Sequence, residues 1–454
     1  MPSFTQTFAL LTTLGAAAVS GGSVVVKREP STKNGPVSDY YTRVKYGIPI
    51  PPQLSAIVKR AGIDTSSKLR KRQLLEELQG QHQVQAQSER QQNSSISAIP
   101  RRNDTEWVNK VEIGTPAQAL TFQIDTGSSE LWVYADPNPT ATAANRSTYS
   151  SSKSTSASLI PNVAWNKSYS GGEGVSGSAV YYDVVRVGDI VAQSQAVLPA
   201  TQASASLVES PYDGILGLSL ANYTSVLSSN GTSVPEADAP TSFFMTVKSS
   251  LKAPLFGVDL KQNEESYFDF GIVPMNRYRG KVGWAPVLRD LSNGARFRNW
   301  NMTASGYAIG NATASNLTTA YMTGVVDTGT TLMYLDQPIV QEYYSNIAGS
   351  RYDANLTAWL FPCNQKKPLP DFSFGVGDAP DVTLITVPGR YFNWSVHDNV
   401  TWECYGGLQE AYDYKGGKLS LFGSVAMKAA YIIFEDNRPA SEPRIGWAAK
   451  DLKF

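Results

Sequence analysis

Downstream of Trp107 the chain alternates short apolar and polar runs, broken by Gly, Asn, Ser and Pro. Residues 108–114, 120–125 and 180–188 read as strands, because side chains that change character at every step suit a sheet with one covered face. Helical periodicity is sparse. In 338–348, Ile339, Val340, Tyr343, Tyr344 and Ile347 recur on one helical face, with Pro338 at the start and Gly349 just past the end. A second short helix is expected over about 242–247. The expectation is a mostly β protein, and 454 residues exceed what one small core holds, so two lobes are expected.

An internal repeat sharpens that expectation. Phe122-Gln123-Ile124-Asp125-Thr126-Gly127-Ser128-Ser129 is echoed by Gly324-Val325-Val326-Asp327-Thr328-Gly329-Thr330-Thr331, the second aspartate lying 202 positions after the first. Ile215-Leu216-Gly217 ends 92 residues after Asp125, and Leu421-Phe422-Gly423 ends 96 after Asp327. Two halves with the same parts in the same order imply two homologous lobes about a pseudo-two-fold axis.

The front of the chain differs. Residues 1–20 hold a short apolar run that reads as a signal peptide, too brief for a membrane span. Residues 21–102 carry 14 Lys/Arg against 6 Asp/Glu, whereas 103–454 carry 25 against 33. The basic charges are scattered and the body is acidic, which argues against nucleic-acid binding and suggests that the two parts attract. Lys59-Arg60, Lys71-Arg72 and Arg101-Arg102 are dibasic, and a Gln-rich stretch, 73–92, is unsuited to a core. These features read as a removable propeptide, and a cut after Arg102 would start the mature chain at Asn103. Eleven Asn-x-Ser/Thr sequons in the body favour an exported, glycosylated surface. In such a protein the only cysteines, Cys363 and Cys404, suit a disulfide, with two buried thiols as the alternative.

An apolar strand that runs into Asp-Thr-Gly sets a carboxylate on a tight, mostly dry turn. Glycine lets a partner loop come close, and a threonine hydroxyl there can bond the opposing backbone. The two-fold axis would then bring Asp125 and Asp327 face to face. Neighbouring carboxylates share a proton and titrate in separated steps, so one can take a proton from water while the other donates to a carbonyl oxygen. One Asp-Thr-Gly alone is commonly an Asx turn; its duplication is what carries chemistry. The body has one histidine, His397, so Ser-His-Asp, Cys-His and histidine-rich zinc mechanisms lack parts.

From Trp107 onward the chain resembles the pepsin-like aspartic proteases, most closely the secreted fungal penicillopepsin-like group. The likeness rests on Val111–Pro116, Asp125–Val133, Tyr212–Leu218, 326–335, Leu369-Pro370-Asp371-Phe372 and Arg444-Ile445-Gly446-Trp447-Ala448. It implies a bilobal fold with the cleft between a lobe over 103–286 and another over 287–454. Asp125 and Asp327 would be catalytic, with Ser128 and Thr330 as their outer hydrogen-bond partners. Gly127 and Gly329 would shape the turns, and Thr126 and Thr328 would cross-brace them. A β-hairpin flap would carry Tyr169 opposite Trp132, although Tyr169 also suits a plain strand aromatic. The flap departs from the family pattern: Gly171 stands where Thr or Asp is usual, and Ser424 follows Gly423 where Asp is common. Val44-Lys45-Tyr46-Gly47 resembles the element that covers the catalytic pair in family zymogens; an exposed lysine in a loose leader is the other reading.

The resemblance implies a secreted acid endopeptidase without cofactor or metal. Its substrates would be proteins and peptides with hydrophobic residues flanking the cut, and its propeptide an intramolecular inhibitor. It would be a monomer with no membrane anchor. A catalytically idle binding or inhibitory relative is the alternative function, and a vacuolar address the alternative location.

Overall fold

In a computed structural model, residues 33–61 and 91–452 are described, apart from 139–140, 142–143, 169–173, 229, 292–295, 379, 399 and 415–416. The expected signal peptide and the Lys71-Arg72 pair lie outside the described residues. The leader contributes two helices, α1 (Gly35–Tyr46) and α2 (Pro52–Arg60). The Asn34 side chain accepts the Val37 amide at the start of α1, Pro36 fits the donor-free first turn, and Gly47 closes the helix in a left-handed conformation. Tyr40 and Val44 of α1 pack on Leu54 and Val58 of α2. The outer side of α1 rests on the second half of the chain, where the Gly35 amide donates to Ser395 Oγ at 2.7 Å.

The rest is dominated by strands. β1 (Ser94–Arg101), β2 (Glu106–Ile113), β3 (Gln118–Asp125) and β4 (Leu131–Tyr134) lie within a 13-stranded sheet. β2 and β3 fall where alternation predicts strands, as does Val180–Val187. The expected helices appear as Gln337–Ser345 and Phe243–Val247, the latter started by Ser242, whose hydroxyl accepts the Met245 amide. Both halves build the large sheet: Leu255–Asp259 pairs with Ala430–Glu435, and Gly283–Pro286 with Arg444–Ala449. A continuous apolar core including Phe256, Phe434, Trp300 and Trp447 lies across that junction.

The Arg101-Arg102 pair stands at the end of a strand. Residues 94–101, which the dibasic pair assigns to the leader, form β1, paired with Ser266–Phe270 on one side and β2 on the other. Ile96 and Ala98 are buried there. A leader ending at Arg102 would take this strand out of the sheet and leave the backbone groups of both neighbours unpaired.

The sequence repeat is a repeat of pairing. Gly214–Gly217 lies parallel to β3, with Gly217 opposite Asp125. Gly417–Phe422 lies parallel to Met322–Val326, with Phe422 opposite Val326, next to Asp327. In each half an antiparallel strand flanks the apolar-apolar-Gly strand: β4 in the first and Met333–Leu335 in the second. Each Asp-Thr-Gly turn thus leaves the end of a buried strand held by hydrogen bonds, which aims its carboxylate into the space between the halves.

Candidate active site

Asp125 and Asp327 are brought together and buried. One oxygen of Asp125 accepts the Gly127 amide at 2.9 Å, and the other accepts the Ser128 hydroxyl at 2.6 Å. Asp327 repeats the arrangement, with the Gly329 amide at 2.9 Å and the Thr330 hydroxyl. A Cβ added to Gly127 would lie 2.5 Å from Asp327 Oδ1, and one on Gly329 would lie 2.5 Å from Asp125 Oδ1. Only glycine at both positions lets each carboxylate approach the opposite loop this closely.

Thr126 and Thr328 lock the turns. Each hydroxyl accepts the other threonine's amide at 3.0 Å; Thr126 then donates to the Val326 carbonyl at 2.9 Å, and Thr328 to that of Ile124 at 2.8 Å. All four groups are interior to the fold, so the bonds fix the spacing of the loops without competition from water.

The ammonium of Lys45, at the end of α1, sits 2.7 Å from Asp125 and 2.7 Å from each oxygen of Asp327. Tyr46 adds its hydroxyl to Asp327 at 2.6 Å. Of the two readings of Lys45, the buried contact with the carboxylates is the one observed.

The charges in this cluster pull against one another. Burial pushes the Asp125 carboxyl up, Lys45 draws it down, and the like charge of Asp327 pushes it up again, leaving it raised. At Asp327 burial acts the same way but is outweighed by Lys45 and by hydrogen bonds including that from Thr330, so this carboxyl is held down at about 2. The pair therefore gives up its protons in two separated steps, one below the usual carboxylate range and one above it. Burial lowers the Lys45 ammonium, but the two carboxylates outweigh it and raise it, so the lysine stays charged.

Trp132 is buried in a separate aromatic cluster, edge-on to Tyr134 and Tyr212. A hairpin stands where a flap is expected: Val163–Ser168 pairs with Gly174–Gly177. Its tip, with Tyr169 and Gly171, lies outside the described residues. Ser424, the departure after Gly423, is buried and donates to the Thr331 carbonyl at 3.1 Å, so the hydroxyl has a partner here. Cys363 and Cys404 form a disulfide beside paired strands that align Phe361 with Cys404.

Sequence reasoning missed one cluster. Asp39 of α1 is buried against Tyr334 and Tyr412, whose hydroxyls both donate to its carboxylate. No local pattern marks it, since the partners are 295 and 373 residues away.

Residues 106–450 match the family of eukaryotic aspartyl proteases. Among curated proteins the chain is similar to endothiapepsin of Cryphonectria parasitica, 33% identical over 93% of this chain and 89% of the relative. It is also similar to aspergillopepsin-1 of Aspergillus pseudoglaucus, 35% identical over 78% of this chain and 82% of that protein. Penicillopepsin-3 of Penicillium janthinellum is 33% identical over 78% and 81%.

Proposed function

The chain belongs to the eukaryotic aspartyl protease family and is an aspartic-type endopeptidase with a pepsin-like fold; from that premise we propose that Asp125 and Asp327 are its catalytic pair and that it is secreted as a zymogen inhibited by its own leader. The observation that carries the reading is the position of Lys45 Nζ, 2.7 Å from both carboxylates. That ammonium stands where a water would sit once the leader departs.

The chemistry follows from one shared proton. The ionised carboxylate takes a proton from the water as its oxygen bonds the scissile carbonyl carbon, and the protonated carboxylate donates to the carbonyl oxygen. Collapse of the tetrahedral intermediate returns a proton to the leaving nitrogen and breaks the C–N bond, with no covalent enzyme intermediate. Ser128 and Thr330 hold the outer oxygens, the Gly127 and Gly329 amides hold the inner ones, and Thr126 with Thr328 keeps the loops in register.

The finer assignments are part of the same proposal. Tyr169 and Gly171 act as flap residues toward the substrate, and hydrophobic residues are preferred on both sides of the cut. The leader ends before Ser94 rather than at Arg102, because β1 belongs to the sheet. Some of the sequons carry glycan on an extracellular monomer that acts on proteins and peptides; among the described residues no helix is long and apolar enough to cross a membrane.

The test is to acidify the purified full chain stepwise from about pH 4 toward about 2, the range over which the Lys45 contact is lost, and sequence the products it makes from a peptide library. Cleavage by the wild type and its loss in Asp327→Asn is the expected result. Equal cleavage by both would refute the assignment.

A further inference from the structure

Besides Lys45, α1 buries Asp39 and Arg43 against specific partners in the second half of the chain. Asp39 is buried to 1% exposure in the second half of the chain. Its carboxylate accepts the Tyr334 hydroxyl at 3.1 Å and the Tyr412 hydroxyl, whose ring lies 4.7 Å from that of Tyr334. Arg43, one turn on, pairs with Asp39 at 2.9 Å, rides over the Tyr412 ring and donates to Thr357 at 2.6 Å. A third buried phenol, Tyr405, has its hydroxyl without a hydrogen-bond partner among the described residues, in the same field as Asp39.

Resting on the endopeptidase reading, we propose that this cradle, once vacated by Asp39, is a substrate subsite that selects a side-chain hydrogen-bond acceptor: Asp, Glu or their amides. Asp39 precedes Lys45 by six positions on one helix, which is about 9 Å of rise. An extended substrate advances about 3.3 Å per residue, so the subsite reads a position roughly two or three residues from the cut bond.

The selectivity follows from donor bookkeeping. Burial first, and then the Asp39 charge, raise the Tyr334 and Tyr412 hydroxyls well above their ordinary range, so both remain donors across the acid range. When the leader leaves, Arg43 leaves with it, and the cradle keeps neutral donors without a fixed charge. Water satisfies them in the empty cleft. A leucine entering there displaces that water and strands buried hydroxyls, whereas a carboxyl or carboxamide restores the bonds Asp39 made. Lysine offers no acceptor and fares no better than leucine.

The experiment uses acid-processed enzyme and peptides that differ only in having Glu, Gln, Leu or Lys two or three residues to either side of one cut. At one of these positions Glu and Gln should exceed Leu and Lys by roughly tenfold in kcat/KM, the worth of one stranded hydroxyl. Tyr412→Phe, and separately Tyr334→Phe, should shrink that ratio severalfold at that position only. Leu equal to or better than Glu at every position, or a ratio unchanged in both variants, overturns the subsite while leaving the protease reading intact. No cleavage of any peptide overturns both.

Discussion

Thr126 and Thr328 hold each other by reciprocal bonds, each hydroxyl accepting the other's amide at 3.0 Å. Replacing Thr328 by Val keeps the shape but leaves the Thr126 amide and the Ile124 carbonyl unpaired in the interior, at about 1–3 kcal/mol for each group. Thr328→Val should therefore lower the thermal midpoint and cut kcat more than it raises KM, while Thr328→Ser recovers most of both. Steady-state kinetics beside calorimetry on the three proteins checks it, and a Val variant as active and stable as the Ser one contradicts it.

On the zymogen reading proposed above, Lys45 should set an acid threshold for release of the leader. The ammonium holds Asp327 down at about 2, so the contact is intact above the ordinary carboxylate range and weakens as pH falls from about 4 toward that value. The lysine itself, being raised, stays charged throughout and adds no loss on the acid side. Lys45→Met removes the requirement. The variant should process itself at a midpoint at least about one pH unit higher than wild type, read by electrophoresis after timed incubations. An unmoved midpoint rules out the latch.

Cys363 and Cys404 are 41 residues apart. Closing that loop removes about 4 kcal/mol of unfolded-chain freedom on the loop-entropy account. The double Cys→Ser variant should unfold at a lower denaturant midpoint by a matching amount. Equal midpoints under non-reducing conditions would show that the bridge adds nothing.

Processing should leave β1 in place. N-terminal sequencing of active enzyme should find a start upstream of Ser94, within the 62–93 stretch. A start at Asn103 on active protein would mean that the sheet tolerates the loss of β1. A chain engineered to lack residues 94–101 should fail to accumulate as folded protein, because Ser266–Phe270 and β2 lose their partner.

The dyad was legible because its parts occur twice in one order, and duplication turns an ordinary turn motif into a specific signal. The helix at Gln337–Ser345 was legible from its apolar face and its Pro and Gly ends. The role of residues 94–101 was obscured by a dibasic pair that reads the same whether exposed or engaged. Here Arg102 is mostly buried, beside Glu106 and donating to the Glu209 carbonyl. The inward positions of β1 are Ser94, Ile96 and Ala98, two of them too small to give strong hydrophobic contrast. The Asp39 cradle was out of reach for another reason: partners hundreds of positions apart leave no trace in any window.

The parallel strand beside each Asp-Thr-Gly turn also sets an order of events during synthesis. The second carboxylate is not seated until Gly417–Phe422 has been made and has paired with Met322–Val326. Lys45 lies 282 residues ahead of Asp327 and has long since emerged by then. The ribosome thus delivers the plug before the hole it fills, and a nascent chain never presents a finished dyad to its surroundings without α1 already tethered beside it.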